Sequence, residues 1–220
     1  LMKYYCFVQA RYSSKRLKGK VLKKFGKHTL LEILLKRLKK SKQINKIIVL
    51  TSTSRHDKKI VNLCKKKKIE YFTGSMNNVF LRFKIATKKY KPNKIIRISA
   101  DSPLMDWRLV DRMIKLSKRI VSFDIISNVK KRTFPKGQSI EIINPHIFEL
   151  SAKILSNEEK EHVTKYFYEK KKYSIINFKS KKNFNSFNLC VDNYDDFLTI
   201  SKLIKKKGIF DKWKNYVKEL

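Results

Sequence analysis

The stretch YYCFVQARYSSKRLKGK at residues 4–20 decides the fold, because it joins a short apolar run directly to a long polar loop. Tyr4–Gln9 has the length and the apolar content of a buried strand. The loop that follows contains serines, arginines and a Gly-Lys pair before apolar residues begin again. This order predicts a sheet whose first strand ends in a loop able to bind a ligand.

The next hundred residues alternate short apolar runs with amphipathic helical patterns. Strands are predicted at residues 46–50, 69–72, 94–98 and 123–126, and helices at residues 28–40, 56–66, 77–89 and 107–118. This alternation predicts an α/β fold with a Rossmann-like, doubly wound, mostly parallel sheet. Ligands of such sheets lie beyond the carboxyl ends of the strands, so the candidate site loops follow Gln9, Leu50, Phe72 and Ile98.

The second half of the chain is less regular. Strands are predicted at residues 140–143 and 173–178, and helices at residues 158–170 and 195–206. Pro145 suits the first turn of a helix after Asn144. The sequence shows neither an internal repeat nor a linker rich in Gly, Pro or Ser. We therefore expect a single domain over residues 1–220, with a small β/α excursion at about residues 130–185.

The composition is strongly positive. The 220 residues include 54 Lys and Arg against 18 Asp and Glu, which gives a formal net charge of +36. Lysine supplies 44 of these cations and arginine 10, and no arginine follows Arg132. Because base reading and bidentate phosphate binding favour arginine, and AT-rich codons favour lysine, we interpret most of this charge as compositional background. A nucleic-acid-binding protein is the alternative, and it would show a steep salt dependence of binding.

Other features narrow the class further. Hydrophobic residues make up 42% of the chain, which is enough for a core and excludes a disordered protein. No apolar run approaches the roughly 18 residues of a membrane span, and residues 4–10 are too short for a signal peptide. Cys6, Cys64 and Cys190 are widely spaced within apolar stretches, as is typical of reduced core cysteines. We expect a cytoplasmic protein with no membrane partner.

The loop after the first predicted strand has the chemistry of a phosphate site. Backbone N–H groups and serine hydroxyls can surround phosphate oxygens, while arginine and lysine neutralise their charge. The loop lacks the Gly-x4-Gly-Lys-Ser/Thr spacing of a Walker A motif. Two features distinguish it from an ordinary basic surface loop. It follows the first strand directly, and it contains two of the ten arginines of the chain.

A series of motifs in the sequence resembles one enzyme family. The first is Gln-Ala-Arg-x-Ser-Ser-x-Arg-Leu-x-Gly-Lys-x-Leu from Gln9, followed by a Leu-rich helix. Later motifs are Thr-Gly-Ser from Thr73, Arg-Ile-Ser-Ala-Asp-Ser-Pro-Leu from Arg97, Arg-Thr-Phe-Pro-Lys-Gly from Arg132, Glu-His-Val-Thr from Glu161 and Val-Asp from Val191. Over nearly the whole chain, this set resembles the CMP-sugar synthetase cytidylyltransferases. It is most similar to the branch named after spore coat polysaccharide biosynthesis, beside the acylneuraminate and 3-deoxy-manno-octulosonate cytidylyltransferases.

The resemblance implies a fold of the nucleotide-diphospho-sugar transferase type and a defined activity. The implied enzyme transfers CMP from CTP to a hydroxyl of an acidic or modified sugar and releases pyrophosphate. Arg11, Lys20 and Asp101 are the implied catalytic residues, with Arg11 and Lys20 on the β- and γ-phosphates. The implied nucleotide-binding residues are Ala10, Arg11, Ser13, Ser14, Arg16, Lys20, Thr51, Ser52, Arg82 and Arg97, and the implied acceptor contacts are Asn128, Glu141 and His162.

Several of these residues keep a structural alternative. Thr51 and Ser52 could instead cap the helix predicted at residues 56–66. Arg82 could pair with a neighbour on its own helix, and Arg16 and His162 could serve the fold alone.

Asp101 and Asp192 are the implied metal ligands. Each follows an apolar run in a chain poor in acid, and both could converge at the strand ends. Carboxylate and phosphate oxygens are the ligands that Mg²⁺ prefers, so the resemblance implies Mg²⁺ as the cofactor. The sequence departs from the family pattern at Ala100, where a glycine is usual, and at Asn78, where an acid is usual. Neither departure removes an implied ligand.

The implied partners are CTP and a small sugar acceptor, with no specific nucleic acid. The resemblance also implies a homodimer formed with the help of the excursion at about residues 130–185. A nucleotidyltransferase for another base or for a non-sugar acceptor is a further alternative, because one fold hosts many activities.

Overall fold

A seven-stranded sheet forms the centre of the computed structural model, which describes residues 2–14 and 16–220. The strands are β1 (Tyr4–Gln9), β2 (Lys24–Phe25), β3 (His28–Thr29), β4 (Lys46–Ser52), β5 (Glu70–Gly74), β6 (Lys94–Ser99), β7 (Ile125–Ser127), β8 (Glu141–Ile143) and β9 (Ile175–Asn177). β2 and β3 form a separate two-stranded hairpin. The other seven strands belong to the large sheet.

The large sheet has the strand order β5-β4-β1-β6-β8-β7-β9. The first four strands of this order pair in parallel, β8 runs antiparallel to both of its neighbours, and β9 is parallel to β7. The prediction of a doubly wound, mostly parallel α/β sheet is therefore confirmed. Because β4 and β6 lie on opposite sides of β1, the order reverses at β1 and leaves a crevice beyond its carboxyl end.

Helices cover the sheet. They are α1 (Leu30–Leu38), α2 (Lys58–Lys66), α3 (Val79–Tyr90), α4 (Trp107–Ser117), α5 (Asn157–Glu161), α6 (Lys165–Glu169), α7 (Tyr194–Lys207) and α8 (Trp213–Val217). Short 3₁₀ turns occur at Lys20–Leu22, Arg55–Asp57, Pro145–Glu149 and Ala152–Ile154. Capping boxes begin α1, α5 and α7, because a serine, threonine or asparagine accepts from the third helical N–H and an acid there accepts in return.

The central strands are buried on both faces, as a parallel sheet requires. Along β1, Cys6 and Val8 pack on one face while Phe7 packs on the other with α3. All three cysteines carry free thiols, and Cys6 and Cys64 are buried. Within the described residues, no helix is long and apolar enough to cross a membrane.

Arg37 fastens the end of the chain to α1. Its guanidinium is fully buried and donates to the carbonyl oxygens of Met105, Ile209 and Asp211 and to the Tyr216 hydroxyl. Burial lowers the pKa of Arg37 from its ordinary value, because an ionised group loses hydration when it leaves water. Three of the four acceptors lie within ten residues of α8 or inside it, so the C-terminal segment completes the core.

One predicted helix is wrong. Residues 158–170 were expected to form a continuous helix, but α5 ends at Glu161 and α6 begins at Lys165. Val163 is buried, and the Thr164 hydroxyl donates to Glu141 on β8 at 2.8 Å. Both side chains are thus turned toward the core by tertiary contacts, which a continuous helix over these residues was not expected to make.

The region at about residues 130–185 contributes two strands to the large sheet. β8 inserts between β6 and β7, so β7 does not pair with β6 as a simple βα repeat would place it. Periodicity identified both strands but gave no information on this order. The insertion brings Glu141 opposite Arg97.

Candidate functional site

A cavity of about 490 Å³ opens at the carboxyl ends of β1 and β6, where the strand order reverses. We call it the first cavity. Its walls come from the loop after β1, the end of β6, the start of α3, the end of α5 and the loop before α7. The lining residues are Gln9, Arg11, Ser14, Arg16, Lys20, Val21, Val79, Arg82, Arg97, Ser99, Ala100, Asp101, Glu161, His162 and Asp192.

Lys20 joins two aspartates in the first cavity. Its Nζ atom donates to Asp192 Oδ1 at 3.0 Å and to Asp101 Oδ2 at 3.4 Å. Burial alone would raise the pKa of Asp192, but the hydrogen bond from Lys20 and the charges of Lys20 and Arg16 lower it below its ordinary value. The two aspartates therefore lie together around one lysine, although they are far apart in the sequence.

Backbone contacts hold both aspartates in place. The N–H of Val191 donates to the carbonyl of Asp101 at 2.9 Å, which ties the two segments together. Asp196 accepts from the N–H of Asp192 at 2.8 Å and also closes the capping box of α7. The Asp192 loop is thus anchored to the helix that follows it.

Two glycines allow the loops around the cavity to approach closely. Gly19 has φ +70°, and a Cβ atom there would lie 2.8 Å from the ring of Tyr12. Gly137 has φ +87°, and a Cβ atom there would lie 2.5 Å from the carbonyl carbon of Leu189. Both positions combine a left-handed conformation with a close contact, so a larger residue would displace the loop.

The two arginines of the loop after β1 are also paired with acids. Arg11 contacts Glu161 Oε1 at 3.0 Å, with both side chains about half exposed. Arg16 contacts Asp192 Oδ2 at 3.0 Å. Exposed pairs of this kind contribute only about 0–1 kcal/mol, so their cations can exchange partners for a stronger anion.

Arg97 lies on β6 at the border of the first cavity. Its guanidinium bonds to the Glu141 carboxylate and to Gln9 Oε1, the latter at 3.1 Å. Glu141 also accepts hydrogen bonds from the hydroxyls of Thr164 and Tyr168, at 2.8 and 2.6 Å. The pairing explains how an arginine is accommodated within an apolar strand.

A second cavity of about 450 Å³ adjoins the first. Arg97, Ser99 and His162 line both cavities. The remaining walls of the second cavity are Val129, Arg132, Ser139, Glu141, Thr164, Lys165, Tyr168 and Glu169. Arg132 donates to the Ser139 hydroxyl at 3.0 Å.

Thr51 and Ser52 do not line either cavity. Both are buried, and Ser52 bonds to the carboxylate of Asp57 through its hydroxyl and through its N–H. Asp57 also accepts from the N–H of Tyr12 at 2.7 Å, so it links the loop after β4 to the loop after β1. Ser52 therefore has a structural contact with Asp57, but it does not cap the helix as the alternative supposed, because Ser54 caps the turn before α2.

Arg82 lines the first cavity but is almost fully buried. Its Nε donates to the carbonyl of Ser75 at 3.1 Å, which orders the loop between β5 and α3. The pKa of Arg82 is lowered to about 10, mainly by burial, with a raising effect of the Asp57 charge and a lowering effect of the Arg11 charge.

Three further predicted residues do not line either cavity. Asn128 is fully buried, donates to the Gln138 carbonyl and accepts from the Ile140 N–H, so its amide holds the chain next to β8. Ala10 is buried, and its N–H continues the pairing of β1 with β4. Ser13 belongs to the same loop as Ser14, but only Ser14 lines the cavity. The remaining predicted residues, Arg11, Ser14, Arg16, Lys20, Arg82, Arg97, Asp101, Glu141, His162 and Asp192, line one cavity or both.

Sequence reasoning left out several residues of the two cavities. Gln9 and Ser99 end β1 and β6, and Glu161 precedes His162 in one of the motifs. Arg132 is the last arginine of the chain and lines the second cavity. Gln9 and Ser99 could have been predicted from their places at strand ends, and Glu161 and Arg132 from their places within the quoted motifs.

The first cavity brings three cations and three carboxylates together at the switch point of a doubly wound sheet, where such sheets bind their ligands. Comparison with known proteins identifies the family. Residues 5–187 match the family described as cytidylyltransferase, so the chain belongs to that family. The resemblance drawn from the motifs is confirmed.

Individual relatives agree with this assignment. An uncharacterised protein of Methanocaldococcus jannaschii is 40% identical over 169 residues, which are 76% of this chain and 68% of that protein. The spore coat polysaccharide biosynthesis protein SpsF of Bacillus subtilis is 30% identical over 211 residues, which are 91% and 86% of the two chains. A cytidylyltransferase structure from Leptospira borgpetersenii matches with a TM-score of 0.94 and 29% identity, covering 100% of this chain and 94% of that one.

Proposed function

We propose that this protein transfers CMP from CTP to a hydroxyl of an acidic or modified sugar, and that it releases pyrophosphate. Membership of the cytidylyltransferase family supports the nucleotide. The name of the Bacillus subtilis relative, which refers to polysaccharide biosynthesis, supports a sugar acceptor.

The contact of Lys20 with both Asp101 and Asp192 is the observation that carries the proposal. It places a cation and two carboxylates within one cavity at the ends of parallel strands. Nucleotidyl transfer joins two anionic partners, so neutralisation of charge and in-line positioning supply most of its catalysis. A triphosphate has the charge that would draw Lys20, Arg11 and Arg16 from their present acids.

Asp101 and Asp192 fit a Mg²⁺ ion by the chemistry of their donor atoms. Carboxylate oxygens are hard ligands, and Mg²⁺ is commonly held by one or two carboxylates together with phosphates and water. Within the described residues, no group of three or more His, Cys, Asp or Glu could hold a metal ion. When bound, Mg²⁺ would stabilise the charge that develops on the phosphate oxygens.

The chain's own residues have distinct parts in the proposed reaction. Arg11, Arg16 and Lys20 bind the phosphates of CTP, and Arg97 lies where the two cavities meet. Glu141 and Gln9 fix the guanidinium of Arg97, so its position does not depend on the ligand. This arrangement pre-organises positive charge at the place of transfer.

The second cavity is the proposed acceptor site. It adjoins the first cavity along Arg97, Ser99 and His162, so an acceptor there would face the nucleotide. Hydroxyl groups from Ser139, Thr164 and Tyr168 surround it, together with the cations Arg132 and Lys165. These groups suit a sugar that carries an anionic substituent.

Calorimetry and product analysis test the proposal. CTP, UTP, GTP and ATP are titrated in the presence of Mg²⁺, and CTP is expected to bind most tightly. Pyrophosphate release is then measured with CTP and a panel of acidic, neutral and amino sugars. Binding of another nucleotide in preference to CTP, or the absence of CTP binding, would overturn the proposal.

A further inference from the structure

His162 lies in the wall that the two cavities share. Only two other residues of the described chain, Arg97 and Ser99, line both cavities. A group transferred from a nucleotide in the first cavity to an acceptor in the second must pass this wall. The chemistry of these three side chains therefore bears directly on the transfer step.

The break between α5 and α6 sets the position of His162. The residue ends α5 with φ −95° and ψ 78°, outside the helical region. The two residues after it are buried, Val163 in the apolar core and Thr164 against Glu141. The backbone of His162 also accepts from the N–H of Lys165 at 2.8 Å. The imidazole is thus held on a fixed backbone while its ring stays exposed to the cavities.

Of the three shared residues, His162 is the one able to accept a proton near neutral pH. Arginine stays protonated, and Arg97 is already bonded to Glu141 and Gln9. A serine hydroxyl such as that of Ser99 must first lose its own proton to another base before it can serve as a general base. No described residue forms a hydrogen bond with the His162 ring, whereas histidine is the side chain that most often serves as a general base.

The carboxylates of the two cavities are engaged elsewhere. Asp101 and Asp192 contact Lys20, Glu161 contacts Arg11, and Glu141 contacts Arg97. Glu169, at the second cavity, contacts Lys165. A bound triphosphate would draw Arg11 from Glu161, but Glu161 lines only the first cavity and not the second, where the acceptor would lie. The geometry therefore leaves the proton-accepting role to the unpaired ring at the shared wall.

We propose that His162 is the general base of the transfer reaction, an inference that rests on the proposed function. The acceptor oxygen forms a bond to the α-phosphorus of CTP, and its O–H bond breaks. The bond from the α-phosphorus to the oxygen that bridges to the β-phosphate breaks, and its electron pair leaves with pyrophosphate. The hydroxyl proton moves to a ring nitrogen of His162 and from there to water.

The other titratable and charged groups around His162 are unchanged in a variant that replaces only His162. The cations lining the two cavities are Arg11, Arg16, Lys20, Arg82, Arg97, Arg132 and Lys165. The acids are Asp101, Glu141, Glu161, Glu169 and Asp192 in the cavities, with Glu158 one turn earlier on α5 and the Tyr168 hydroxyl beside Glu141. A difference between pH profiles of the wild type and a His162 variant therefore reports on His162 itself.

The first test compares His162→Gln with His28→Gln, a control on the β2–β3 hairpin. Pyrophosphate release is measured from pH 5.5 to 9 with saturating CTP, Mg²⁺ and the acceptor panel. In the wild type and in H28Q, kcat should rise with pH through the range in which histidines titrate. In H162Q, kcat should fall about 100- to 1,000-fold and lose that rise, while the Kd for CTP changes by less than about threefold. Wild-type kcat with an unchanged profile in H162Q would overturn the inference.

The second test needs no acceptor. Diethyl pyrocarbonate modifies exposed histidines, and mass spectrometry follows each site with and without saturating CTP and Mg²⁺. CTP should protect His162 and leave His28 and His146 unprotected. If calorimetry shows bound CTP but His162 reacts at the same rate, the inference fails while the proposed function stands. If the wild type does not bind CTP at all, the proposed function itself fails.

Discussion

The two adjoining cavities are built in different ways. In the first cavity most of the charged groups come from loops at the ends of elements: Arg11, Arg16 and Lys20 follow β1, Asp101 follows β6 and Asp192 precedes α7. In the second cavity the groups come from an inserted antiparallel strand and from a broken helix, and they depend on tertiary contacts with Glu141. The charge of the proposed nucleotide cavity therefore follows from sheet topology, whereas the shape of the proposed acceptor cavity follows from tertiary packing.

The largest effect should come from removing the acids of the first cavity. Asp101→Asn and Asp192→Asn should each lower kcat about 1,000-fold, because each removes a proposed carboxylate ligand for Mg²⁺ and a partner of Lys20. Pyrophosphate release measures the loss. Asp195→Asn, an exposed acid in the first turn of α7, is the matched control and should stay at the wild-type rate. Full activity in D101N would place the reaction outside the first cavity.

The next effect distinguishes packing from charge in the second cavity. Glu141→Gln should lower the free energy of unfolding by about 3 kcal/mol, because it removes one partner of a buried ion pair and leaves Arg97 uncompensated. Chemical denaturation measures the change, with Glu149→Gln as an exposed control on the turn after β8. An unchanged unfolding free energy would show that Arg97 does not depend on Glu141.

A smaller effect should follow from the loss of one cation. Lys20→Met should weaken CTP binding roughly 10- to 100-fold, since a charge-assisted hydrogen bond contributes about 1.5–3 kcal/mol. Calorimetry measures the affinity, and Lys18→Met, an exposed lysine of the same loop, is the control. Equal losses in both variants would mean that the general positive field, and not the position of Lys20, binds the nucleotide.

The smallest effect concerns pH. The pKa of Asp192 is lowered in the folded protein, so its ionised form stabilises the fold above the unfolded value of about 4. This contribution should be lost as the pH falls through the folded pKa. Because the group is partly exposed, we expect less than about 1 kcal/mol between pH 5 and pH 2. The difference in unfolding free energy between the wild type and Asp192→Asn measures it, and a difference that grows toward low pH would contradict it.

The same contrast explains what could be predicted from the sequence. The strands β1, β4, β5 and β6 and most residues of the first cavity were predictable, because strand ends and their loops are local features. The partners of β8 and the break at residues 162–164 were not, since both result from contacts between distant segments. Thr51, Ser52 and Asn128 show the same limit, because a polar residue after a strand can turn inward as readily as outward.

The Arg37 contacts also determine when this protein can fold during its synthesis. Three acceptors of that buried guanidinium, Ile209, Asp211 and Tyr216, lie more than 170 residues after Arg37 and are therefore synthesised long after α1. Until they emerge, α1 carries a charge that it cannot bury at low cost. The first helix of the sheet therefore docks fully only after the segment around α8 has been made, and a chain lacking that segment would expose the apolar face of α1 to proteases and chaperones.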